Sequence, residues 1–223
     1  VGGVGVDHFK ATGTYWSRFQ ANVTNQKARA TAASKTYSIP FIFFWGSETD
    51  AQIDTKSRAT IASDWATVAS DCNGYIKTTT GQSSDVVAIA MQTSYGVRRP
   101  NQPGAVALGL YDWHNGDTRV LAGPTYCYPH VDQYHPSALG RRMAGEKMGQ
   151  VAKQLIIDHK QWTGLRPRQA WARGTEIFIR FHVPYAPMTL DDWHVRKCTD
   201  FGFKVTDGGG TKTITDIRVV AAD

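Results

Sequence analysis

Ile39-Pro40-Phe41-Ile42-Phe43-Phe44-Trp45 carries no polar side chain and stops at Gly46. A short, unbroken apolar run bounded by a turn residue is how a strand buried on both faces of a parallel sheet reads. Its C-terminal end would deliver the residues after Gly46 to an edge of the sheet. A second run of this kind is Val86-Val87-Ala88-Ile89-Ala90-Met91, and a shorter one spans Arg119 to Ala122. Between and around these runs the spacing turns helical. Tyr15, Trp16, Phe19 and Val23 recur along one face of a helix expected from Thr14 to about Lys35. A second helix is expected from Asp54, as its cap, to about Ala69. A short one is expected at Ala105–Tyr111, and a long one from Pro136 to about Lys160, with Met143, Met148, Val151, Leu155 and Ile156 on one face. Residues 1–10 read as a loop, and residues 81–85 and 115–117 as turns. Strands alternating with helices predict an α/β domain with a mainly parallel sheet.

The pattern changes near Trp162. From Arg166 onward, short runs such as Glu176-Ile177-Phe178-Ile179-Arg180-Phe181 alternate polar and apolar residues, and Asp207-Gly208-Gly209-Gly210 reads as a hairpin turn. The expected division is an α/β domain over 1–162 and a small all-β, sandwich-like domain over 163–223. Sixty residues would make a thin sandwich, so this second domain is expected to continue past Asp223. The opening Val1-Gly2-Gly3-Val4-Gly5-Val6, without an initiator Met, reads as the start of a piece trimmed from a longer gene product.

Composition narrows the function classes. The chain has 223 residues, 41% of them hydrophobic and 20% charged, which is ordinary for a globular protein. A net charge of +6 points weakly toward anionic surfaces. The densest basic clusters are only the pairs Arg98-Arg99 and Arg141-Arg142, not the stripe of a nucleic-acid binder. No apolar run has the ~18 residues of a membrane span, and no leader sequence is visible. Cys72, Cys127 and Cys198 stand at wide spacings with no CxxC pair, so structural thiols are expected and their redox state stays open.

The strongest chemical signal is Tyr126-Cys127-Tyr128-Pro129-His130-Val131-Asp132-Gln133-Tyr134-His135-Pro136-Ser137. Asp132 and His135 stand three apart between a strand and a long helix. A carboxylate so placed can fix an imidazole's tautomer and stabilise the imidazolium formed when it takes a proton. The alternative is a helix start lined with polar caps. His130 is a candidate substrate contact or a surface histidine. Trp113, Tyr126, Tyr128 and Tyr134 are candidates for stacking on a sugar ring or for the core. Asp132, His130 and His135 lack a further ligand at helical spacing, so no metal site is expected.

Asp132-x-x-His135-Pro136 before a Gly-containing helix resembles the last conserved block of the GDSL/SGNH hydrolases, closest to their sialate O-acetylesterase-like branch. Two further stretches are similar to that branch and fall in its order. Phe43-Phe44-Trp45-Gly46-Ser47-Glu48-Thr49-Asp50-Ala51 resembles the strand running into Gln-Gly-Glu-(Ser/Ala)-(Asn/Asp)-Ala, and Gly2-Gly3 resembles an early Gly-Gly turn. The resemblance covers about residues 1–160. It implies an SGNH-type three-layer parallel sheet, present in part, and an ester hydrolase acting on O-acetylated carbohydrate without metal or organic cofactor. It implies a catalytic His135 oriented by Asp132, an oxyanion hole around Gly3, Ser47 and Asp50, and substrate contacts from His130 and Tyr134.

Two departures bear on that site. Ser47 stands where the family has Gly, and Asp50 where it often has Asn; an ionised carboxylate accepts hydrogen bonds and cannot donate to an oxyanion. The family's serine block, a Gly-Asp-Ser or Gly-Gln-Ser after the first strand, is not in the sequence. Ser47, Ser94 and Ser137 lie nearest the blocks, but none sits in a nucleophile turn. The expected partners are therefore an acetylated polysaccharide, an upstream segment of the same gene product that carries the serine, and virion subunits if the setting is a phage particle. An extracellular or virion location follows from the same architecture. The alternative is a non-catalytic structural or glycan-binding component of a phage tail fibre or spike. Nucleic acid and membrane are not expected partners.

Overall fold

The structure, a computed structural model, describes residues 3–93, 95, 104–190 and 199–220. The three apolar runs are its three parallel strands: β1 (Phe41–Phe44), β2 (Val87–Gln92) and β3 (Arg119–Pro124), hydrogen-bonded in the order β1-β2-β3. Phe43 stands beside Ile89, and Ile89 beside Val120. The central strand is the most enclosed, as a strand flanked on both sides and covered on both faces must be.

Side chains of β2 alternate between two cores. Ala88 and Ala90 face a cluster with Ile61, Trp65, Val106 and Leu110, drawn from α3 (Arg58–Thr80) and α4 (Ala105–Trp113). Ile89 and Met91 face the other way, with Val120, Ala144, Met148 and Val151, the last three from α5 (Ala138–Ala152). Small alanines on the first face leave room for the indoles of Trp65 and Trp113. The first helix, α1 (Trp16–Ala32), joins Val23 to Ile76 and Val86 in a third, smaller cluster. The chain is thus a mixed α/β fold with helices on both faces of a parallel sheet.

Several local expectations are corrected. Asp54 does not cap the second helix. It ends a six-residue helix, α2 (Glu48–Ile53), in the left-handed region (φ 56°), and Ser57 caps α3 by accepting from the Thr60 amide. The helix α3 then runs to Thr80, through Gly74, and closes on Gly81 in the left-handed conformation that glycine adopts at least cost. Residues 1–10 are more than a loop: Val6–Phe9 form a 3₁₀ turn, and the Val6 side chain is sealed in the core beside Ala51, Ile61 and Trp65. The long helix starts at Ala138 and gives way at Lys153–Ile157 to a π-helical turn, short of Lys160.

Beyond Trp162 the structure is antiparallel. The strands β4 (Arg166–Arg173) and β5 (Glu176–His182) form one hairpin, and β6 (Val205–Asp207) and β7 (Gly210–Lys212) form another around Gly208-Gly209. Both are two-stranded sheets. Trp171 and Phe178 stack across the first hairpin at 5.4 Å, and Trp171, Ile177 and Ile179 remain exposed. No helix of the described residues is long and apolar enough to cross a membrane.

Candidate active site

In a parallel sheet every strand ends at the same edge, so the residues that follow β1, β2 and β3 are brought together without being neighbours in sequence. The end of β3 is clasped to the end of β2. The register slips by one residue between Ala90 and Met91, and the Thr125 amide and hydroxyl then both donate to the Gln92 carbonyl, at 2.9 and 3.0 Å. From there the chain enters the loop that carries Asp132 and His135.

That loop is braced at its base. The amide of Ser137 donates to the Pro129 carbonyl (2.9 Å), that of Val131 donates to the His135 carbonyl (2.9 Å), and His130 and Pro136 form an isolated antiparallel bridge. Gly140, in the first turn of α5, packs so closely under the loop that a Cβ would lie 2.2 Å from the Pro129 oxygen. The helix cap is Ser137, whose Oγ accepts from the Gly140 amide. Asp132 is therefore free of capping duty. Its Oδ1 accepts from the amides of Tyr134 (2.9 Å) and His135 (2.7 Å), and its Oδ2 meets His135 Nδ1 at 2.7 Å.

This arrangement assigns one end of the imidazole to the carboxylate and leaves Nε2 for an incoming proton. The hydrogen bond from His135, with the two backbone amides, holds the Asp132 carboxyl at about 2, well below the usual range. The carboxylate is charged at every pH where the imidazole is chemically useful. Both side chains are open to solvent, His135 at 61% and Asp132 at 44% exposure. Tyr134 leans edge-on against the His135 ring at 5.2 Å and against Tyr95 at 4.7 Å. His130 is half-buried, with Nδ1 2.7 Å from the Tyr128 carbonyl oxygen.

The turn after β1 is built in the opposite manner. Ser47 has φ 84°, a conformation that glycine adopts freely and serine only at a cost. Its hydroxyl is buried (4% exposed) and accepts from Trp65 Nε1 at 2.7 Å. Asp50 is 3% exposed and points toward the N-terminal segment. Its oxygens lie 3.0 and 3.2 Å from the Val6 amide, which donates to them. Gly5 permits this approach, because a Cβ there would stand 2.6 Å from Asp50 Oδ1. Burial pushes the Asp50 carboxyl up to about 6, against the Val6 amide and Lys56. Gly3 is exposed, in the left-handed region, with open space where a Cβ would be.

One residue of this turn was quoted in the sequence motif without a role. Glu48 opens α2, directly after the buried Ser47, and Thr93 is 1% exposed just beyond β2. Burial raises the Glu48 carboxyl, while its own amide, Thr93 and the imidazoles of His130 and His135 pull it down. Only the position of Glu48 one residue after Ser47, at a strand end, could have signalled this in the sequence.

Of the aromatic candidates, Trp113 is sealed in the core at 1% exposure and Tyr128 is buried, while Tyr126 is exposed. A cavity of about 200 Å³ is lined by Gly5, Asp7, His8, Asp50 and Lys56 among others, and one of about 250 Å³ by residues such as Phe9, Phe43 and Cys72. Neither touches the Asp132–His135 pair, which sits on open surface. Among the described residues no group of three or more His, Cys, Asp or Glu side chains converges as a metal would require, and no serine hydroxyl hydrogen-bonds the His135 ring. Burial pushes the Cys72 thiol up to about 12, and Cys127 Sγ donates to the Pro124 carbonyl. Cys198 and Ser94 lie outside the described residues. No family model, curated protein or solved structure matches this chain.

Proposed function

We propose that the chain is the acid–base half of a serine-type carbohydrate acetylesterase of SGNH-like architecture, with the nucleophile carried by a segment upstream of Val1. The observation that carries this reading is the 2.7 Å contact of Asp132 Oδ2 with His135 Nδ1 at the C-terminal edge of a parallel sheet. An incoming serine hydroxyl would attack the acetyl carbonyl while His135 Nε2 takes its proton. The imidazolium, stabilised by the charged Asp132, then gives that proton to the departing sugar oxygen, and water releases acetate by the same relay in reverse. Oxyanion donors come from backbone amides of the Gly3 and Ser47 turns. Asp50 is spent on the Val6 amide. Exposure of the pair on open surface suits a bulky polymeric substrate such as an acetylated surface polysaccharide. Tyr134 packs edge-on against the imidazole and His130 stands on the same loop, and both are natural contacts for a sugar. Under this reading the chain belongs to an extracellular or virion protein, with the two hairpins after Trp162 forming part of a β-sandwich domain.

The test follows release of acetate from an acetylated glycan, and of nitrophenol from p-nitrophenyl acetate, by the full-length protein. His135→Ala should lower kcat by about 10³-fold or more. Equal rates for the two proteins would refute the mechanism.

A second reading has one observation in its favour. The Ser47 hydroxyl is committed to Trp65 in the interior, and no described serine reaches His135. On this reading the fold is kept as a glycan-binding or structural virion component without turnover. Glycan binding by a full-length protein that releases no acetate would favour it.

A further inference from the structure

The hairpin of β4 and β5 leaves apolar side chains open on both of its faces. Trp171 and Phe178 stack on one, and Ile177 and Ile179 stand on the other, paired with Ala172 and Ala170. Such a hairpin is marginal in water by itself. Each strand also keeps a second edge of backbone N–H and C=O groups that joins no ladder among the described residues. The two edges are not alike. On β4, Pro167 has no N–H to offer, the register shifts between Pro167 and Gln169, and the charges are those of Arg166, Arg168 and Arg173, with no acidic residue. These features keep an edge from pairing. On β5, the run Glu176-Ile177-Phe178-Ile179-Arg180 holds neither Pro nor Gly and carries one charge of each sign.

That run is its own complement when reversed. Laid antiparallel on a copy of itself about Phe178, Glu176 meets Arg180 at both ends, Ile177 meets Ile179, and Phe178 meets Phe178. We infer that β5 is a dimerisation strand, pairing antiparallel with β5 of a second copy of this chain about a two-fold axis at Phe178. The contact is isologous, so each copy offers the same edge to the other. One face of the joined sheet then carries a row of rings, Trp171 and Phe178 from each copy, with a Glu176–Arg180 pair on either side of the axis. The other face gathers Ile177 and Ile179 of both copies. Opposite charges, aromatic rings and β-branched side chains facing across strands all favour pairing. A slip of one residue sets Glu176 against Ile179 and loses both ion pairs, so the register is specified. Within one chain Glu176 meets Arg218 at 3.6 Å, a loose contact between exposed side chains that leaves the carboxylate open to a second cation. The inference stands apart from the esterase proposal, because Asp132 and His135 lie outside both strands.

The experiment is sedimentation velocity of the full chain at low salt, from about 10 μM to about 1 mM, because one strand edge buries less than a standard interface and the dimer should be weak. Glu176→Lys sets Lys against Arg180 at both ends, and Arg180→Glu sets Glu against Glu. Each variant alone should raise the Kd for self-association about tenfold or more. Mixed in equal amounts, the two variants regain an attractive pair at both ends, Lys with Glu and Arg with Glu, and should associate about as tightly as the wild type. Ile177→Glu, on the opposite face, should also dissociate the dimer, and it takes the place of a charge variant that does not fold. Association recovered in the mixture, or lost in Ile177→Glu, supports the inference. A wild type that stays monomeric throughout overturns it and leaves the edge to another partner. A dimer that no folded variant weakens also overturns it and places the contact elsewhere. Ester hydrolysis plays no part in the readout, so failure here leaves the esterase proposal untouched, and a protein without turnover leaves the dimer standing.

Discussion

The loop after β3 and the turn after β1 each present carboxyl groups at the same edge of one sheet, and they treat them oppositely. On the loop, Asp132 is half in water, receives three N–H donors and is held at about 2. In the turn, Asp50 is enclosed and rises to about 6, and Glu48 is also raised. Identical chemistry is thereby split into a permanent anion and two groups whose ionisation costs free energy. Pairs of like groups driven apart in this way are what acid–base sites use. The difference also separates two jobs. Asp132 serves the imidazole beside it. Asp50 ties α2 to the segment that buries Val6, and so contributes to the core.

Breaking the contrast at Asp50 should have the largest effect. Unfolded, its carboxyl titrates near 3.8, and folded it titrates at about 6. Between those values the folded state keeps a proton that the unfolded state has released, so this group's contribution to stability falls as pH rises, by on the order of 3 kcal/mol once both are ionised. Asp50→Asn does not titrate. Thermal unfolding should therefore show the variant gaining on the wild type from about pH 4 to about pH 8. A difference that stays constant across that range would mean the buried carboxylate carries no penalty.

Gly140→Ala should act next, on the loop's side of the comparison. A methyl group 2.2 Å from the Pro129 carbonyl has no flexible side chain to displace, so α5 and the loop must part. Overpacking of this kind costs about 1–3 kcal/mol. The measurable consequences are a lower Tm and a weakened His135–Asp132 contact, seen as loss of the downfield Nδ1 proton. Retention of both would show that the close approach does not brace the site.

Ser47 offers the smallest and sharpest contrast within the β1 turn. Ser47→Ala keeps the left-handed backbone and strands the Trp65 indole N–H, for about 1–3 kcal/mol. Ser47→Gly strands the same donor but relieves the backbone, so it should be less destabilised by about 1 kcal/mol in denaturant unfolding. An alanine variant as stable as the glycine variant would deny the strain at this position.

How much of this was legible in the sequence follows from which forces are local. The strands were visible because short apolar runs bounded by turn residues seek a sheet interior, and Phe41–Phe44, Val87–Gln92 and Arg119–Pro124 fall within two residues of where their runs were read, although the edge strand β1 is not buried on both faces, with Phe43 43% exposed. The pairing of Asp132 with His135 was legible because both ends lie on one short loop. The helix α2 was not, since six residues give too little periodicity, and Asp54 looks like a cap from composition alone. The extension of α3 to Thr80 was hidden by Gly74 and a run of threonines, both weak helix formers. The fate of Ser47 and Asp50 was set by Trp65 and Val6, which approach them from 18 and 44 residues away. The groups that act on the Glu48 carboxyl follow β2 and β3, and only the folded sheet brings them near it. The hairpins after Trp162 were read correctly as β-structure, although alternation alone does not say what packs on their exposed Trp171, Ile177 and Ile179.

The most direct test of the whole account is the tautomer of the His135 ring, read from its two ¹⁵N shifts at a pH where the imidazole is neutral. With Asp132 in place the proton should sit on Nδ1 and leave Nε2 as the acceptor, and Asp132→Asn should abolish that preference. A neutral ring protonated on Nε2 in the wild type, or a preference unchanged in Asp132→Asn, would contradict it.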